Sequence, residues 1–142
     1  MVRVVIWGVA AASLVASLAG RMAAQAPGIR STMSGVYSNA QARRGEDTFM
    51  GTCVSCHPIA TYTGTNFAVA WGRRPLSDLF DWVSTKMPKS DPGSLTPKEA
   101  AQVVAYILKK NEIPPGKTDL PPDEAVLSKI RIETPAMQGD KK

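Results

Sequence analysis

Apolar side chains recur at helical spacing in three stretches of the 142-residue chain. In the first, Ala42, Gly45, Phe49 and Cys53 share one face of a helix that begins near Asn39 and runs directly into Cys53–His57. Glycine in a helix interior costs about 1 kcal/mol relative to alanine, a cost that makes sense at Gly45 if another helix crosses there at close range. In the second stretch, Leu76, Leu79, Phe80 and Val83 predict a shorter helix starting just after Pro75 and pointing at Met87. The third is the best marked. Thr96-Pro97-Lys98-Glu99 supplies an N-cap, a proline at the first helical position and a glutamate to close a capping box. Ala100, Val103, Val104, Ile107 and Leu108 then form the apolar face, and Lys109 and Lys110 sit at the negative end of the helix dipole. Asn111 and Pro114-Pro115-Gly116 end it. The pattern predicts that the first and third helices cross, with Phe49 and Tyr106 either meeting edge-to-face at the crossing or each merely filling core.

The intervening segments are less regular. Pro58 to Arg74 shows no clear period and reads as a long loop, and Ile29 to Asn39 reads as a lead rather than a packed element. After Pro121-Pro122 one patch, Val126, Leu127 and Ile130, is expected to dock on the domain, and the polar end is expected to be loose. No internal repeat or low-complexity run is present.

The first residues differ in kind. Met1-Val2-Arg3 gives a positive start, Val4 to Gly20 is uncharged and rich in Val, Ala, Leu and Ser, and Ala24-Gln25-Ala26 offers a small-x-small cleavage pattern. That is a signal-peptide layout, with an uncleaved membrane anchor as the alternative. The expected organisation is a signal peptide or anchor at 1–26, a flexible lead at 27–38, one domain at 39–120 and an extension at 121–142. Either reading of the signal places the rest outside the cytoplasm, in the periplasm.

Composition changes this picture little. At 44% hydrophobic residues the chain suits one small all-α domain. The net charge of +5 falls to about +3 without Arg3 and Arg21. No Lys/Arg block with interleaved aromatics suggests nucleic acid as a partner.

Chemistry is concentrated in Cys53-Val54-Ser55-Cys56-His57, which holds every cysteine and the one histidine of the chain. Cys-x-x-Cys-His is the pattern of covalent c-type haem attachment, with thioethers at Cys53 and Cys56 and His57 as proximal iron ligand. Two other chemistries fit the same residues less well. Structural zinc would need a carboxylate as its fourth ligand, and a thioredoxin-like pair would need flanking strand-helix-strand elements where helix is predicted. One haem at most is allowed. Among the six methionines, Met87 stands after the short helix, before Pro88 and thirty residues past His57, which is room for the chain to pass round a haem. It is the candidate distal ligand, the other reading being a core methionine. A Met/His pair would fill both axial positions, disfavour oxygen activation and raise the reduction potential. The expected activity is single-electron transfer rather than catalysis.

Taken together, Ala42-x-x-Gly45-x-x-x-Phe49-x-x-x-Cys53-x-x-Cys56-His57, Met87-Pro88 and Ala105-Tyr106-Ile107-Leu108 resemble class I monohaem cytochrome c over about Asn39 to Pro115. More narrowly, Met87 to Gly116 is similar to bacterial cytochromes that are free-standing or attached to exported quinoprotein dehydrogenases. The resemblance implies three to four helices around one covalent haem c, crossing first and last helices, and His57 and Met87 as axial ligands. It also implies redox proteins as donor and acceptor. Pro58 departs from it, standing where the family usually has glycine, and puts the local turn in question. Two functions follow as expectations: a periplasmic electron carrier, or a haem subunit of an exported dehydrogenase complex. Trp71 and Trp82 are candidates to pack on the porphyrin. Lys86, Lys89 and Arg73-Arg74 read first as solvated charges and second as a positive rim.

Overall fold

The computed structural model describes residues 28–138. The signal or anchor expected at 1–26 lies outside them. No helix among the described residues is long and apolar enough to cross a membrane.

The element order is β1 (Arg30–Ser31), α1 (Asn39–Thr52), α2 (Gly64–Trp71), α3 (Leu76–Asp81), α4 (Pro97–Lys110), α5 (Glu124–Leu127), β2 (Ile130–Arg131) and α6 (Pro135–Gln138). The fold is all-α, with two-residue strands as its only sheet among the described residues. The six helices among the described residues exceed the three or four expected, because α5 and α6 are single turns and α2 lies in the stretch read as loop.

α1 and α4 form the centre and cross where expected. Ser38 caps α1 by accepting from the Gln41 N–H, 3.0 Å, and Thr96 and Glu99 close the capping box of α4. At the crossing, a Cβ on Gly45 would stand 1.8 Å from the Gln102 carbonyl oxygen. Only hydrogen at that position lets the two backbones approach so closely. Phe49 and Tyr106 meet beside it with ring centroids 5.4 Å apart and planes tilted by 52°. Beyond α4, the buried Gln41 side chain grips the Leu120 backbone at both its N–H and C=O, 2.7 and 2.8 Å. These contacts fold the chain after α4 back onto α1.

The segment expected as a lead is packed. Thr32, Val36 and Tyr37 are buried, and β1 pairs with β2 in parallel, Arg30 against Ile130. Thr32 Oγ1 donates to the Glu133 carbonyl at 2.7 Å and accepts from its N–H at 2.9 Å. The partners lie about a hundred residues away, so no local period announces them. Pro58–Arg74 is likewise not a loop throughout: it contains a 3₁₀ turn, Ile59–Tyr62, and helix α2, of which Phe67 alone is buried. A single anchor in eight residues leaves no apolar stripe. In the extension Leu127 and Ile130 dock as expected, Val126 stays exposed, and Ile132 is buried as well. Leu127 belongs to the turn α5 that packs on α3, and Ile132 exchanges backbone hydrogen bonds with Arg73 and Arg74, 2.8 and 2.9 Å. The extension thereby covers the helix that leads to Met87.

Candidate functional site

α1 ends at Thr52, and Cys53 forms its C-cap, donating its N–H to the Phe49 carbonyl at 2.8 Å. The motif then turns on itself, with the Cys56 and His57 N–H groups both donating to the Cys53 carbonyl, 3.1 and 2.9 Å. Pro58 fits this turn. With φ −60° and ψ 141° it stands as the N-cap of the Ile59–Tyr62 turn, a place that asks nothing of its missing N–H.

On the other side of the sequence gap, α3 passes into a π-helical turn, Trp82–Lys86, and Met87 follows in extended conformation. Such single π turns recur at functional sites. Ser84 and Thr85 both donate their hydroxyls to the Asp81 carbonyl, 3.2 and 2.8 Å, at the start of this turn. The Met87–Pro88 peptide bond is cis.

These two segments meet. Cys53, Cys56, His57 and Met87 all line one cavity of about 830 Å³, counting its open mouth. Its remaining wall is mainly apolar: Phe49 from α1, Leu79 and Val83 from α3 and the turn after it, Leu95, and Val103 and Ile107 from α4. Cys53 and Cys56 are free thiols, the first half-buried and the second exposed. Burial raises the Cys53 thiol pKa above its usual value, with the neighbouring Cys56 adding to the effect. The donor set is two thiols, an imidazole and a thioether around a largely hydrocarbon-walled space. That chemistry fits a haem, whose broad apolar faces need such walls and whose iron takes imidazole and thioether ligands.

The structural zinc reading fits less well: beside Cys53, Cys56 and His57 the cavity presents no Asp or Glu side chain as a fourth ligand. The thioredoxin-like reading fails, because the motif follows a helix and precedes a 3₁₀ turn.

Residues 40–107, from the first turn of α1 to the last of α4, match the family model described as cytochrome c oxidase, cbb3-type, subunit III. Over this stretch, just under half of the chain, the protein is similar to the c-type cytochromes. The family transfers electrons through haem c, and the match spans every wall of the cavity named above. No curated protein and no solved structure matches the chain.

Sequence reasoning singled out Cys53, Cys56, His57 and Met87, which line one cavity, but missed Tyr62. Its ring stands edge-on to the His57 imidazole, centroids 5.7 Å apart, and edge-on to Phe49 at 6.4 Å. It also lines the cavity. No period marks it, since it sits in a 3₁₀ turn with no buried residue. Of the two candidate tryptophans, Trp82 lines the cavity, while Trp71 packs against Trp82 from outside it, centroids 6.4 Å apart. The charges divide similarly. Lys89 is at the cavity, whereas Arg74 is paired with Asp78 at 2.7 Å and stacked over Trp71. Arg74 is therefore spent locally, and the positive rim shrinks accordingly.

Proposed function

We propose that this protein is a periplasmic single-electron carrier, with one haem c bound covalently through Cys53 and Cys56 and ligated by His57 and Met87. The observation that carries the proposal is the shared apolar cavity, where two segments thirty residues apart contribute all four donors. When bound, the haem supplies one-electron exchange between ferric and ferrous iron. The protein's own groups do the rest. The turn at Cys53 brings both thiols and the imidazole to the same cavity. The side chains of Phe49, Leu79, Val83, Val103 and Ile107 exclude water and keep the surroundings of low polarity, one of the levers that set a potential. With Met87 as the second ligand beside His57, no position would be left open for a substrate, which favours carriage over catalysis. The signal-like pattern at 1–26 supports a periplasmic location.

A second reading is a haem subunit of a larger redox assembly such as an exported dehydrogenase. It is favoured by the description of the matching family, which names an oxidase subunit. A free carrier purifies alone, whereas a subunit co-purifies in stoichiometric amount with a catalytic chain.

The ligand assignment is tested by the absorption spectrum of the oxidised holoprotein, which is expected to show a thioether-to-iron charge-transfer band that Met87→Ala abolishes. Carbon monoxide binding to the unsubstituted ferrous protein would overturn the assignment of Met87. Cys53→Ser/Cys56→Ser is expected to leave no haem attached after denaturation, and retained covalent haem would sink the attachment.

A further inference from the structure

Asn111 ends α4 and is buried, with 7% of its surface exposed. A buried amide is costly unless its donors and acceptor are used. Here they are. Nδ2 donates to the Tyr62 carbonyl at 2.8 Å and to the Ile107 carbonyl at 2.9 Å, and Oδ1 accepts from the Gly64 N–H at 3.0 Å. Closing a helix needs none of the contacts to Tyr62 and Gly64, because the Asn111 backbone N–H already reaches the Ile107 and Leu108 carbonyls. The side chain is spent on another element.

That element is otherwise held by packing alone: the Ile59–Tyr62 turn has no side-chain cap and no fully buried residue, and Ile59 and Tyr62 lie half-buried against the core. Among the described residues, the remaining hydrogen bonds of 58–63 are local, Thr61 N–H to Pro58 and the Thr63 hydroxyl to Ala60. The bond from Asn111 Nδ2 to the Tyr62 carbonyl is the one that reaches it from elsewhere in the fold. The same turn carries Tyr62, whose ring stands edge-on to His57 at 5.7 Å.

We propose that Asn111 is a positioning residue for the iron's imidazole ligand: it fixes the backbone of Tyr62, and Tyr62 fixes the plane of the His57 ring. This rests on the reading of His57 as an iron ligand. Neighbours that orient a ligating histidine tune the metal it binds. Asn111 thus sits fifty-four residues from His57 in sequence and acts on it through one intervening side chain.

The test is a double-mutant cycle in the full-length holoprotein, read by the midpoint potential and by the paramagnetically shifted proton signals of the iron-bound imidazole. Asn111→Leu, similar in size but unable to hydrogen-bond, is expected to move the imidazole signals and to shift the redox equilibrium several-fold. A ten-fold change would correspond to 59 mV for one electron. In a Tyr62→Ala background the same substitution is expected to move neither, since its intermediary is gone. If Asn111→Leu does not yield holoprotein, Asn111→Asp takes its place, keeping the acceptor for Gly64 and withdrawing the donor from Tyr62. Lowered thermal stability with unchanged potential and imidazole signals would reduce Asn111 to a structural cap and overturn the proposal, as would shifts that add in the double variant. Failure of the underlying reading is distinguishable, because the unsubstituted holoprotein would then show no iron-bound imidazole signals at all.

Discussion

Tyr37 is fully buried, and its hydroxyl donates to the Ile113 carbonyl at 2.6 Å. Burial pushes its pKa up to about 12 from an ordinary value of 10.0. The native state therefore keeps a proton that the unfolded chain releases. Stability from this group is complete below pH 10 and is lost as pH rises from about 10 towards about 12. Tyr37→Phe is expected to cost about 1–3 kcal/mol at neutral pH, the usual penalty for a buried carbonyl left without its donor. It is also expected to flatten the alkaline limb, and urea midpoints of both proteins at pH 7 and pH 11 check both effects. Neither Tyr37 nor Tyr62 was legible in the sequence, while Cys53, Cys56, His57 and Met87 were. The difference is physical. A haem motif is a fixed local spacing, whereas a tyrosine acquires its role from groups seventy-six residues away in one case and from a 3₁₀ turn in the other.

Among the elements, the α1–α4 crossing has the least tolerance. Gly45→Ala gains about 1 kcal/mol in helix propensity but sets a methyl group against the Gln102 carbonyl oxygen, and a backbone atom cannot rotate away. Parting the helices disturbs Phe49 and Tyr106 beside it, and a net loss of about 3 kcal/mol is expected. A chemical-denaturation midpoint reads it, and a neutral or stabilised variant would show that the helices can shift freely. The crossing was predictable because a costly glycine shares a face with Ala42 and Phe49, and because α4 announces its start with four consecutive residues. α2 was not, because eight residues with one buried side chain carry no stripe. The capping glutamate carries its own pH signature. Its hydrogen bonds to the Thr96 hydroxyl and backbone N–H lower the Glu99 pKa, so what it contributes is present above the unfolded carboxyl pKa and fades as pH falls through the lowered one.

For the molecule as a whole, the C-terminal extension belongs to the core. Ending the chain after Pro122 removes Leu127, Ile130 and Ile132, all buried, and at about 1.5–3 kcal/mol for each side chain a loss of about 5 kcal/mol is expected. α3 loses its cover first, so hydrogen exchange of its amides is expected to accelerate more than that of α1 and α4. Equal acceleration everywhere would mean that the extension stabilises the fold without bracing the Met87 side in particular. The family match ends at residue 107 and says nothing of this part. The two-strand clasp carries one more implication, concerning time. β1 is made about a hundred residues before its partner, and contacts so distant along the chain are slow to close. The attachment motif lies between them, so in a chain that emerges from its N-terminal side the motif is free before the clasp can close.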